Sequence, residues 1–456
     1  MGNNLTSAEG FTTAVAEEVN AIGYDDLSPY AVARARHILL DWLGAAIAGS
    51  QEPAGEIARA IATEPGGSPA AGIMGTQWRT SPRDAAMANA VAAHALDFDD
   101  SSLWADGHPS AAIVSAAVAL GEALGSTTGQ VVEAVVAGVQ GQARIAIANG
   151  PSPYEDGFHG TGVYGTFGAA GACSRLLGLE VEGLERAFTL AATQAAGLKR
   201  PFGTMGKHLN AAKAAANGML AAQLAAKGFT APADGIEGRQ GFAWTHSTTF
   251  DASRSQTTMG DRLAVESVVF KRHACCHGTH STIDGIAQLR DRHPFTADDV
   301  TDVQLFVPEK IVDICCIPDP VTGLEGKFSV RHAATIALSG LATGPDAFTD
   351  DSVHDPELVA LRQRVTVRPE STRAMTAATR VLVNLANGDQ LEAEIDVWEP
   401  THDADLAAEW QRLTLKFISL AGPVIGMSSA QEYIDRLDKL EADLPVRQLF
   451  ELPRLD

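Results

Sequence analysis

Up to about residue 265 the apolar positions recur at helical spacing almost without interruption, and several helix starts are marked in the sequence. Ser28-Pro29 predicts a helix running toward Gly49, and Ser81-Pro82 predicts one running toward Leu96. In each case a serine hydroxyl can accept from a free N–H group while proline suits the first helical turn. His108-Pro109 opens another, continued by the apolar run Ala111 to Leu124. Segments such as Ala211 to Ala226 are rich in Ala and Gly, and small faces of that kind let helices approach closely, so a compact bundle is expected.

From about Val268 the period shortens. Asp302 to Val307, Arg364 to Val367, Arg380 to Leu385 and Gln390 to Val397 alternate as strands do, and Asn387-Gly388 between the last two signals a hairpin. Helices beginning near Thr279 and after Phe328 are expected to cover one face of this sheet. Past Pro400 the helical pattern returns, in Ala404 to Leu420 and Ser429 to Leu440. The fold class is therefore mainly α with α+β: a large helical domain over residues 1–267, a smaller α+β domain over 268–400, and C-terminal helices over 401–456 that return to the helical domain. Sites commonly form in the cleft between such domains.

Bulk properties narrow the function. A chain of 456 residues with 45% hydrophobic content can bury two cores. No apolar run reaches the roughly 18 to 20 residues needed to cross a bilayer, and no basic leader precedes the first helix, so no membrane partner is expected. Met1 to Thr6 satisfies a loose myristoylation pattern, but no polybasic stretch reinforces it. A net charge of −22 argues against nucleic acid. It also makes the few cations informative, since an acidic protein that binds a polycarboxylate must concentrate them at the site; Lys199, Arg200, Lys207, Lys271 and Arg272 are the candidates. Five cysteines, two pairs of them adjacent in sequence, do not form a disulfide framework and fit a reducing, cytoplasmic compartment. Their spacing suits no iron–sulfur cluster.

The densest chemistry lies in HALDFDDSSLWADGHPS, where His94, Asp97, Asp99, Asp100 and His108 fall within fifteen residues. Aspartates beside imidazoles suit proton transfer at neutral pH. His108 precedes a helix whose free N–H groups favour a carboxylate. Three further segments carry the same types of group: DGFHGTGVYGTFG with His159, FGTMGKHLNAAKAAANG with Lys207 and His208, and FKRHACCHGTH with His273, His277 and His280. Several motifs fail on context. Gly160 to Gly165 spells G-x-G-x-x-G without the preceding strand, Asp97 to His108 lacks the glycine and glutamate of a calcium loop, and Gly203 to Lys207 is too short for a P-loop. HACCHGTH offers zinc-type ligands, but adjacent cysteines cannot easily share one ion and no second pair completes a tetrahedron, so no metal is expected.

Taken in order, these segments resemble the MmgE/PrpD family, which includes 2-methylcitrate dehydratases, cis-aconitate decarboxylases and iminodisuccinate epimerases. LLDWLGAAIAGS near the start, LAAKGFTAP and KFSVRHAA extend the likeness over almost the whole chain. The resemblance implies a cofactor-independent homodimeric lyase acting on a small di- or tricarboxylic acid, most like 2-methylcitrate dehydratase, with an iminodisuccinate-type epimerase or a cis-aconitate-type decarboxylase as alternatives. A binding or assembly protein with a decayed site is the non-enzymatic alternative. Asp97, His108, His159, Lys207 and His280 are the catalytic candidates, with Ser101, Gly160, His208, His277 and His332 as substrate-binding candidates. Backbone N–H groups near His108 and Gly160 are expected to help neutralise substrate carboxylates. Two departures stand out. Many relatives read K-x-L-H-A-G where this chain has Lys207-His-Leu-Asn210-Ala-Ala212, and His332 ends KFSVRH where the decarboxylases carry a tyrosine that lines the site.

Overall fold

The computed structural model describes residues 9–64 and 66–452, so the Met1 to Thr6 acylation pattern lies outside the described residues. Helix Pro29–Gly49 begins where Ser28 Oγ accepts from Ala31 N at 3.0 Å, and helix Pro82–Ala95 begins where Ser81 Oγ accepts from Asp84 N. These pack with Pro109–Leu124, Thr128–Asn149, Gly160–Leu176 and Gly206–Ala226 around one core. The small residues let the helices approach closely. A Cβ on Gly218 would lie 2.5 Å from the Thr166 carbonyl oxygen, so helices Gly206–Ala226 and Gly160–Leu176 meet backbone to backbone.

Helix Thr128–Asn149 corrects one expectation. Its 22 residues are long and apolar enough to cross a membrane, yet it is buried among its neighbours as the central helix of the bundle. Its apolar character comes from contact on every side, including toward Gln140 and Arg144, which are themselves buried and bonded to Glu18.

The α+β unit holds a four-stranded sheet. Val300–Pro308 runs between Val365–Glu370, its parallel partner, and Arg380–Leu385, its antiparallel partner, with Gln390–Glu394 outside the last. Helices His280–Arg292 and Val330–Leu338 cover one face, and Gly388 takes φ +95° in the hairpin turn. The last strand stops at Glu394 rather than Val397. Beyond it Ile395 O accepts from Ser281 Oγ (2.7 Å) and Val397 O from His277 Nε2 (2.9 Å), so side chains take the carbonyls a ladder would use. Helices Leu406–Ile425 and Met427–Lys439 then pack on the helical core.

Buried lysines join the two units. Lys327 Nζ, from the insert, donates to Leu96 O at 2.8 Å and to Ala274 O at 2.9 Å, and burial lowers its pKa to about 8. Lys416 Nζ donates to Asp41 Oδ1 and Phe98 O, both at 2.6 Å, and to Lys271 O at 3.1 Å. Each ammonium holds the turn after helix Pro82–Ala95 against the segment entering the insert. All five cysteines are free thiols.

Candidate active site

The site is built on the turn that follows helix Pro82–Ala95. Asp97 takes φ +51°, a left-handed conformation tolerated by few residues other than glycine, asparagine and aspartate. The chain then reverses, and Ser101–Ser102 pairs with Val268–Val269, so the acidic turn is stitched to the segment that enters the insert. All three carboxylates are buried, and each has different partners. Asp97 bonds Lys207 Nζ and, at 2.9 Å, Lys271 Nζ. Burial opposes charge on Asp97, but the two ammoniums outweigh it and hold the carboxyl well below the usual range. Asp99 accepts from His94 Nδ1 at 2.8 Å; burial opposes its charge too, and the neighbouring imidazoles keep its pKa low. Asp100 accepts from Ser110 N (3.1 Å) and Ser110 Oγ (2.7 Å), with burial raising its pKa well above the usual range.

That last contact corrects the expected anion site. The first turn of helix Pro109–Leu124 already holds a carboxyl from its own chain, Asp100. Gly160 is likewise closed off, because a Cβ there would lie 2.1 Å from Ala105 O. The N-cap residues of the two helices, His108 and His159, do line the cavity.

Hydrogen-bond partners fix the histidine tautomers. His108 Nδ1 donates to Asp100 O at 2.7 Å, leaving Nε2 as a lone-pair acceptor. His159 is the reverse: Asn210 Nδ2 donates to its Nδ1 at 2.9 Å and to Leu198 O at 3.0 Å, so His159 carries its hydrogen on Nε2. His277 Nε2 donates to Val397 O, and its Nδ1 has no partner among the described residues. Burial lowers the pKa of all three, to about 3 for His277 and well below the ordinary value for His108 and His159, so each is a neutral imidazole at rest. His108 is thus a proton acceptor and His159 a donor. The Asn210 amide, where many relatives carry an imidazole, sets the second of these.

These groups border a small cavity of about 70 Å³ between the domains. Asp97, Ser101, His108, His159, Lys207 and His277 line it; Phe202, Ile311, Phe328 and Met375 supply apolar wall, and Trp398 stacks on His277 with centroids 4.1 Å apart. Ser101 Oγ is buried without a partner among the described residues. A larger hollow of about 860 Å³ around Trp78 and Glu432 contains no histidine.

Four predicted residues lie elsewhere. His280 stands behind His277, the rings stacked at 4.7 Å, and does not reach the cavity. Asp284, four residues on, bonds His273 Nε2 at 3.0 Å. His208 points to a separate interdomain cleft, one residue away from Lys207 on the same helix and so turned about 100° around it. His332 is buried within the insert, near Ser352 and Arg362. Gly160 serves packing. Conversely, Lys271, Asp106, Tyr154 and Trp398 were not placed in the site from sequence, although Lys271 stood among the candidate cations. Lys271, Asp106 and Trp398 come from irregular segments and Tyr154 from a four-residue helix, too short for a period to betray the facing side.

Ligand atoms of His94, Asp97, Asp99 and His108, and of His94, His108 and His159, lie within 4.8 Å of one another, close enough for a metal ion. The charge balance opposes this, because Asp97 already faces two ammoniums and a divalent cation would have to displace them. In HACCHGTH, His273 turns to Thr343 and Asp284, and the Cys275 thiol turns to Thr279.

The profile of the MmgE/PrpD N-terminal domain matches residues 13–255, and that of the MmgE/PrpD C-terminal domain matches residues 273–441. The chain belongs to the MmgE/PrpD family. Among curated relatives, a cis-aconitate decarboxylase of Aspergillus terreus is 26% identical over 97% of this chain and 96% of its own length. The human cis-aconitate decarboxylase is 27% identical over 78% of this chain and 76% of its own length. The family's two domains correspond to the helical bundle and to the α+β unit with the returning C-terminal helices.

Proposed function

We propose that this MmgE/PrpD protein is a cofactor-independent lyase for a small di- or tricarboxylic acid, and that it acts as a hydro-lyase of the 2-methylcitrate dehydratase type. The observation that carries the reading is that a free imidazole lone pair, His108 Nε2, and the Lys207 ammonium line one cavity. His108 removes the proton alpha to a carboxylate. Lys207 and the Nε2–H of His159 stabilise the enediolate that forms, acting where charge develops rather than on the ground state alone. Asp97, itself anchored by Lys271, holds the Lys207 ammonium in place. Ser101 Oγ is free to bond a second carboxylate.

A decarboxylase is the second reading, favoured by the names of the relatives. Against it stands position 332, where a buried histidine outside the cavity replaces the phenol of the decarboxylases. The deciding experiment incubates purified protein with 2-methylcitrate, citrate, cis-aconitate and iminodisuccinate in deuterium oxide, followed by NMR. Loss of water with formation of an alkene is expected from one of the hydroxy acids. Carbon dioxide from cis-aconitate would instead establish the decarboxylase, and deuterium uptake with no net loss would establish an epimerase.

Activity is expected to survive exhaustive chelation, because the charges a metal would neutralise are already met by lysines. Elemental analysis checks this. One tightly bound iron or zinc per chain whose removal abolishes turnover would overturn it.

A further inference from the structure

The cavity holds one carboxyl that the proton abstraction does not use. Asp106 lies on the loop between Ser101 and His108 and lines the cavity beside His108, His159 and Lys207. Its placement is built into the fold. Ser102 N donates to Gly107 O at 2.8 Å, closing the loop, and Asp106 takes φ +45°. Two glycines press this loop onto the start of helix Gly160–Leu176: a Cβ on Gly107 would lie 2.5 Å from Thr161 N, and one on Gly160 2.5 Å from Asp106 O. A left-handed non-glycine residue costs of order 1–3 kcal/mol and persists where the surroundings impose it.

The Asp106 carboxyl accepts no hydrogen bond among the described residues, although cations are near. Lys310 is paired with Glu155, and Lys199 lies over the Tyr154 ring at 4.3 Å from its centre. Burial is the largest influence on Asp106 and raises its pKa to about 7, with Lys199 and Lys310 opposing and Glu155 assisting. Tyr154, whose pKa burial raises, also lines the cavity.

We infer that Asp106 protonates the departing hydroxyl of a β-hydroxy acid substrate. His108 takes the α-proton, and the C–H electron pair becomes the second bond of the alkene. The carbon–oxygen bond breaks with its pair on oxygen, and the Asp106 O–H supplies the proton that makes the leaving group water. Asp106 is left as a carboxylate facing Lys199, and a proton from solvent restores it. Asp106 thereby selects substrates that bear a hydroxyl one carbon beyond the acidic C–H, because an alkene acid losing carbon dioxide offers no such oxygen. The inference rests on the hydro-lyase reading above.

Asp106→Asn tests it, since asparagine keeps the size, tolerates the left-handed backbone and carries no acidic proton. With the hydroxy acid that the wild type dehydrates, the variant is expected to lose roughly a hundred- to ten-thousandfold in dehydration while still exchanging the α-proton with deuterium oxide. An analogue with fluoride in place of the hydroxyl needs no protonation to leave, so the variant should eliminate fluoride within a few-fold of the wild type. Wild-type kcat/KM for the hydroxy acid should fall as pH rises through about 7, and this limb should vanish in the fluoride reaction. Equal loss of exchange and elimination, or an equal loss for both leaving groups, would make Asp106 a structural residue and overturn the inference. A wild type that dehydrates none of the hydroxy acids defeats the hydro-lyase reading itself, a separate result seen before any variant is made.

Discussion

His108→Asn should lose roughly a hundred- to ten-thousandfold in kcat/KM, the range for removing a positioned base. The asparagine amide can still donate to Asp100 O, as Nδ1 of the imidazole does at 2.7 Å, so the acidic turn keeps its anchor while the Nε2 lone pair disappears. Deuterium exchange at the α-carbon should disappear with turnover, because the defect is in the first step. Burial keeps His108 neutral, and a base whose pKa is pushed down stays competent on acidification. The wild-type rate should therefore show no loss of this base as pH falls through the ordinary histidine value near 6.5. Exchange that survives in His108→Asn but vanishes in His277→Asn would move the base to the other wall of the cavity, where Nδ1 is also without a partner.

Lys207→Met should cost roughly tenfold to a thousandfold in kcat/KM with the fold retained. A charge-assisted hydrogen bond is worth about 1.5–3 kcal/mol, and more where charge builds in the transition state. Folding survives because Asp97 keeps Lys271 as its counter-ion at 2.9 Å. Asp97→Asn is a poor test by comparison: it leaves two buried ammoniums facing each other, and breaking a buried pair from one side costs about 3–5 kcal/mol. Lys207→Arg should also be impaired, since a planar fork does not fill the place of a compact ammonium. The control is Lys227→Met, at the exposed end of the same helix. Near wild-type turnover in Lys207→Met, measured with the substrate that the panel identifies, would remove Lys207 from the site.

Much of the scaffold was legible because its signals are local. Ser28-Pro29, Ser81-Pro82 and Asn387-Gly388 each dictate a turn or a cap through their own backbone chemistry, and each does so here. The site was legible only as a set of segments. His277 and His280 are separated by a short 3₁₀ turn, His277–Thr279, and a turn of that kind sets facing differently from the helix that follows, so sequence favoured His280 where the cavity presents His277. The candidate anion-binding helix start was correctly located but already filled, since nothing in a one-dimensional pattern says that Asp100 reaches Ser110 first. Met375 and Trp398 arrive from loops of the insert, and only the register of the sheet brings them to the cavity. Acid and base roles depended on which ring nitrogen is engaged, and that is decided by single contacts such as Asn210 to His159.

The insert is tethered at both ends by residues of the catalytic chamber. The chain enters past Lys271, which grips Asp97, and leaves past Trp398, which lies against His277. Any displacement of the insert would therefore pull on both, drawing an ammonium from the acidic turn and an aromatic wall from the imidazole together.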